Sequence, residues 1–212
     1  MRRTLLLAAA LGLSGALCVP ASARPVFCRL ITDVAGDTTA VMPPGSAGVP
    51  VPGPVDGALD IVSADIASNP KVVTAVIRVS NLGTSAMTSP VGADYGLAFG
   101  VNEQRFAFDA LRDATGYERF LLVLTGNAVG TGGVDIDGVF DAAHNEVRMT
   151  APVEAFKELG GRVSQGAVSQ ELNAFTQRAF GAQGSYTFQL TDVAEAQKQY
   201  RFGSASCVTP GR

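Results

Sequence analysis

Apolar and polar residues alternate with a period of two along most of this chain, which is the signature of strands with one face turned inward. Val73, Ala75, Ile77 and Val79 alternate with Thr74, Val76, Arg78 and Ser80. Tyr95, Leu97, Phe99 and Val101 interleave with Gly96, Ala98 and Gly100, and Phe106, Phe108 and Ala110 with Arg105, Ala107 and Asp109. These two runs flank Asn102-Glu103-Gln104 and predict a hairpin. Phe120 to Leu124 is apolar at every position, the pattern of a central strand covered on both sides. Val134, Ile136 and Phe140 pair in prospect with Val147, Met149 and Ala151 across Asp141-Ala142-Ala143-His144-Asn145. With Leu59 to Ile66 and the alternating Tyr186, Phe188 and Leu190, the count is about eight strands. That spacing predicts an all-β fold, an antiparallel β-sandwich of jelly-roll type.

Helical periodicity is confined to short stretches. Pro152 opens a segment whose Val153, Phe156 and Leu159 share a stripe before Gly160-Gly161, which predicts two helical turns. Leu172, Phe175 and Ala179 place a second helix over Ser169 to Phe180, and Thr191 to Tyr200 is a weaker third. Met42 to Gly57 carries five prolines among Gly and Val and predicts an extended surface loop.

The first residues change what counts as the folded chain. Met1–Arg3 is basic, Thr4 to Val19 is apolar, and Ala21-Ser22-Ala23 is a small-residue cleavage site, so residues 1–23 read as a secretory signal peptide. Residues 24–212 are then one β-sandwich domain, expected to be secreted. No later run reaches the roughly 20 apolar residues of a spanning helix, and Cys18 lacks the flanks of a lipidation site, so no membrane anchor is expected. The mature chain is acidic, 14 basic against 19 acidic residues, which offers no footprint for nucleic acid. Its two cysteines, Cys28 and Cys207, allow a single intramolecular pairing, and an oxidising exterior favours a disulfide that joins the ends of the domain.

Reagents for catalysis are few. The single histidine, His144, falls in a hairpin turn beside Asp141 and Glu146, and no G-x-S-x-G elbow is present. Gly130-Thr131-Gly132-Gly133 lacks the lysine of a phosphate loop. With both thiols committed to a bond, carboxylates remain. Asp33, Asp37, Asp60 and Asp65 are candidate hard oxygen ligands for calcium, with Asp135 and Asp137 as a weaker pair; the bland alternative is Asx turns and solvated strand edges.

The run Thr32-Asp33-Val34-Ala35-Gly36-Asp37, then Leu59-Asp60-Ile61-Val62-Ser63-Ala64-Asp65-Ile66 and Thr74 to Val79, resembles β-sandwich modules of exported bacterial proteins. Those modules open with a D-x-x-G-D turn and proceed to an L-D-I-x-S-x-D strand. More distantly the chain is similar to jelly-roll carbohydrate-binding and calcium-binding modules of extracellular hydrolases. The resemblance implies a non-catalytic binding or interaction module of the cell exterior, with an extracellular protein or glycan as partner and no cofactor beyond calcium. A calcium-dependent carbohydrate-binding protein is the alternative, and a carboxylate-based hydrolase a further one. The chain has no tryptophan, so a sugar platform would draw on Tyr95, Tyr117, Tyr186 or Tyr200.

Overall fold

A computed structural model describes residues 29–41, 51–83, 92–125, 133–182 and 185–203. In chain order the elements are β1 (Ile31–Thr32), β2 (Thr39–Val41), β3 (Val51–Pro52), β4 (Ile61–Ser68), β5 (Val72–Val79), β6 (Ala93–Val101) and β7 (Gln104–Arg112). There follow β8 (Glu118–Thr125), β9 (Gly133–Asp135), β10 (Asp137–Asp141), β11 (Glu146–Pro152), α1 (Val153–Glu158), β12 (Gln170–Ala182) and β13 (Ser185–Glu195). Five strands form one sheet in the order β1-β4-β5-β11-β10, and eight form the other in the order β3-β2-β13-β12-β6-β7-β8-β9. Every pairing is antiparallel. The two sheets face each other as a β-sandwich.

The alternation seen in the sequence fills the space between them. Val73, Ala75 and Ile77 of β5 and Val147, Met149 and Ala151 of β11 meet Leu97, Phe99, Phe106 and Phe108 from the larger sheet. Phe99 lies 5.5 Å from Phe202 between ring centroids, and Phe106 lies 5.1 Å from Phe156 of α1, edge to face. The β6–β7 hairpin closes through Asn102 and Glu103, both left-handed at φ 50 and 64, the backbone of a two-residue hairpin turn that matches the strand twist. Gln104 is already the first residue of β7. Between β9 and β10 the chain leaves the larger sheet for the smaller one within one residue, Ile136. There Gly138 has no room for a side chain, because a Cβ would stand 2.2 Å from the Phe120 ring.

Four expectations change. The helix expected over Ser169 to Phe180 is β12: its buried side is Leu172, Ala174, Thr176 and Arg178, so small and polar residues mask the two-residue period. Thr191 to Tyr200 is not helical either, since β13 runs to Glu195. β8 is not central: it lies one strand from the sheet edge, and only Leu122 among its residues is fully buried. Finally, residues 42–50 of the proline-rich loop lie outside the described residues, but its later part is no free loop. Val51–Pro52 adds an edge strand to β2, where a residue without an amide proton is tolerated, and Asp56 is 1% exposed.

The segment from Asp56 to Ile61 crosses from the larger sheet to the smaller through the interior. Its backbone polar groups are met partly by backbone, with the Leu59 and Asp60 amides donating to the Asp56 carbonyl, and partly by side chains. The Tyr95 hydroxyl donates to the Ala58 carbonyl at 2.9 Å, the Thr176 hydroxyl donates to the Leu59 carbonyl, and the Ile61 amide donates to Asp192 at 2.7 Å. Arg178 pairs with Asp56 at 3.2 Å.

Candidate functional site

A polar cleft of about 460 Å³ lies beside β12 on the larger sheet. A β-bulge makes it. Gln170 opposes Gly100 and Asn173 opposes Ala98, so β12 carries one residue more than β6 over this interval, and Glu171 takes a left-handed conformation at φ 48. A non-glycine residue held at positive φ stores strain. Ser169 and Leu172 form a buried floor, with the Ser169 hydroxyl accepting the Tyr200 amide at 2.8 Å. Asn173 lines the cleft, and its Oδ1 is buried with no hydrogen-bond partner. The rim is balanced in charge: Arg105 holds Glu171 at 2.6 Å, and Glu195 faces the same space as Lys198.

A second site is acidic and lies where β1 gives way to β2. One carboxylate oxygen from each of Asp33, Asp37 and Asp192 falls within 4.8 Å of the others. The turn between the first two is braced from below, because Asp60 accepts the Gly36 amide at 2.6 Å and the Ser80 hydroxyl. Asp33 Oδ1 accepts the Val34 amide at 2.9 Å, whereas Oδ2 is buried and unpartnered. Burial raises the Asp33 carboxyl, the Val34 amide opposes it, and Asp37 and Asp60 add repulsion. Asp192 is 4% exposed and is pushed up to about 6, chiefly by burial, with the Ile61 amide opposing and Asp33 and Asp37 reinforcing. The groups acting on both acids are carboxylates and backbone amides, not cations.

The four sequence candidates for calcium therefore divide. Asp33 and Asp37 converge, with Asp192 in place of the other two. Asp60 is held as a backbone clamp. Asp65 lies across the smaller sheet, fully buried, accepting the Leu30 amide at 2.9 Å and pairing with Arg78 at 2.6 Å. Asp135 is bound to Arg119 at 3.0 Å on the surface, and Asp137 opposes Thr150 at the edge of the other sheet. His144 pairs with Asp141 at 2.7 Å in an exposed turn and holds that carboxyl below its usual range. Tyr95 and Tyr200 belong to the core, with 3% and 1% exposure, and Tyr117 is exposed, so these three share no platform. The Tyr186 side chain, Cys28, Cys207 and Gly130–Gly132 lie outside the described residues.

Sequence reasoning missed Asn173 and Asp192. Reading 169–180 as a helix hid Asn173 on the solvent side of a strand. Asp192 had a visible signal: it is the acid between Leu190 and Ala194 in an alternating run, where an inward residue is expected to be apolar. It also missed Asp94 and Asp109, both on the outer face of the larger sheet. Burial raises Asp94 against the opposing Gln177 and Tyr95 groups, and burial with repulsion from Asp94 pushes Asp109 up to about 7.

Fold and site together define a β-sandwich with a polar cleft on the outside of its larger sheet and an acidic corner at its edge. Comparison with protein-family models, with curated proteins and with solved structures finds no match.

Asp192 makes stability depend on pH with a definite sign. Its carboxyl binds a proton more tightly folded than unfolded, so its contribution is fully present below the ordinary value of 3.8 and is lost as pH rises through about 6. Asp192→Asn keeps an oxygen for the Ile61 amide and carries no charge. In chelator, urea unfolding at about pH 4.5 and about pH 7.5 is expected to show a smaller loss for the variant than for the wild type, by up to about 2 kcal/mol. Equal losses would contradict this assignment.

Proposed function

We propose that the protein is an exported, non-catalytic binding module of the cell exterior whose ligand seat is the polar cleft beside β12. The observation that carries the reading is Asn173: a buried carbonyl oxygen with no donor, in the wall of a cleft of about 460 Å³. Leaving such a group unmet costs about 1–3 kcal/mol, and a ligand hydroxyl or amide proton would recover it. The cleft volume lies in the range of small-molecule sites, and two cations against two anions on its rim suit a neutral polar ligand. Asn173→Leu tests the seat on glycan and peptide arrays. Binding is expected to fall at least about tenfold while the urea midpoint stays level or rises, because a fold without ligand gains from losing an unmet polar group. Unchanged binding, or a lowered midpoint, would place the amide in the service of the fold instead.

Export and the Cys28–Cys207 disulfide belong to the same reading. Leu30 bonds to Asp65 and the Gly203 amide donates to the Ser68 hydroxyl at 2.8 Å, so both ends of the described chain are fixed to β4. Because β1 runs antiparallel to β4, the chain traced back from Ile31 heads toward Ser68. Cys28 is one residue before the described chain and Cys207 four residues after Gly203, a stretch that reaches at most about 14 Å. A bond between them would close a loop of about 180 residues and contribute roughly 5 kcal/mol in the chain-entropy limit. Reductant is expected to lower the melting temperature of the mature protein without abolishing the fold; two thiols titrating in the unreduced, denatured chain would dispose of the bond.

The second reading, calcium, is favoured by Asp33. Its buried, unpartnered Oδ2 sits among three converging carboxylates whose mutual repulsion a hard cation would relieve. The ligands would be Asp33, Asp37 and Asp192, joining the β1–β2 turn to β13. Calcium at neutral pH is expected to raise the melting temperature of the wild type and to leave Asp33→Asn unmoved. An equal shift in both proteins would show that calcium acts elsewhere.

A further inference from the structure

The outer sheet face continues beyond the cleft, whose wall ends at Asn173. Asn173, Phe175 and Gln177 alternate with the buried Leu172, Ala174, Thr176 and Arg178, so all three stand on the outer face of the larger sheet. Beside them on β6 come Ala98, Gly96 and Asp94, and on β7 Ala107, Asp109 and Leu111. Residues on β6 are small here, and Gly96 must be: a Cβ would lie 2.1 Å from the Phe175 ring, which reaches across β6. At the far end Gln177 donates to Asp94 Oδ2 at 2.7 Å, while Asp94 Oδ1 is buried and completes no hydrogen bond. Asp109, opposite Gly96, stands diagonally from Asp94, roughly 7–8 Å away in an antiparallel pair.

Two buried acceptors without donors, Asn173 Oδ1 and Asp94 Oδ1, thus lie on one sheet face. Four residues of β12, about 13 Å, separate Asn173 from the Gln177 that marks Asp94. Between them are an aromatic ring and small residues. We propose that this face is a single track for a neutral oligosaccharide, whose hydroxyls donate to Asn173 at one end and to Asp94 and Asp109 at the other while a sugar ring rests on Phe175. The chemistry selects the class. Phosphate, sulfate and carboxylate bring only acceptors to acceptors and are repelled by the acids; sugar hydroxyls donate, and sugar C–H faces pack on an aromatic surface. A peptide strand would instead seek unpaired backbone at a sheet edge, whereas Asn173 and Asp94 stand on strands paired on both sides.

This inference rests on the cleft as ligand seat, and the test separates the two. The probes are linear gluco-, xylo- and manno-oligosaccharides from the monosaccharide to the hexasaccharide, titrated calorimetrically into the mature protein. Affinity is expected to rise with length and then level off. In the double variant Asp94→Asn/Asp109→Asn, the hexasaccharide is expected to lose at least about tenfold in affinity while the monosaccharide changes by less than about twofold. Asn173→Leu is expected to weaken both. Affinity independent of length, or a double variant that binds the hexasaccharide as the wild type does, overturns the track and leaves the seat standing. Asn173→Leu binding as wild type overturns both, and no heat with any of these sugars overturns the oligosaccharide assignment.

Discussion

The crossing from Asp56 to Ile61 is the constraint on which the rest of the molecule depends. A chain that passes through a sandwich interior exposes its amides and carbonyls to an apolar surrounding, and each unmet group costs about 1–3 kcal/mol. Here Tyr95 of β6, Thr176 of β12 and Asp192 of β13 bond to its backbone, and Arg178 of β12 pairs with the Asp56 carboxylate. Because these groups come from three neighbouring strands, they lock the start of β4 to one position on the larger sheet. Inter-sheet placement is set by directional bonds as well as by apolar packing. The Arg178–Asp56 pair ties the crossing to β12 at 9% and 1% exposure.

That constraint shapes the outside of the sheet. β12 spends its inward positions on Ala174, Thr176 and Arg178, the last two of which bind the crossing. Its outward positions, Asn173, Phe175 and Gln177, are released from any duty to the core. The bulge at Glu171 and Leu172 then offsets β12 from β6 and opens the cleft. Asp192 serves both sides of this arrangement: one oxygen accepts the Ile61 amide, and the same carboxylate belongs to the acidic corner.

Much of this fold was legible in the sequence. β5, β6, β7, β10 and β11 announce themselves because their inward residues are large and apolar, and α1 because Val153, Phe156 and Leu159 follow Pro152. β12 was illegible for the opposite reason, its inner face being small or polar in order to hold the crossing. The acidic turn at Asp33 and Asp37 was visible, but its partner Asp192 is 155 residues further along and reaches the corner only through sheet order. Asp60 and Asp65 fall outside the acidic corner, which sequence does not reveal because it shows carboxylates without showing donors. The Gly36 amide and Ser80 occupy the first, and Leu30 and Arg78 the second. Tertiary contacts of that kind carry no local pattern.

The two sheets differ in how they treat their acids, and this difference locates function. On the outer face of the smaller sheet Arg78 bridges Asp65 at 2.6 Å and Glu146 at 2.9 Å, and Glu146 holds Arg148 at 2.5 Å. Each acid there has a cation, and Glu146 titrates below its usual range, its two arginines outweighing the burial that would raise it. On the larger sheet and its corner Asp33, Asp94, Asp109 and Asp192 are all raised, burial being the main cause in each. Acids paired with arginine stabilise a fold by themselves. Acids kept half-dry without a cation cost stability in the free protein, and they cost least when something else supplies the proton donor or the charge. The acids on the outer face of the smaller sheet are therefore charge-paired as they stand, while those of the larger sheet and its corner keep a cost that the proposed ligands would relieve.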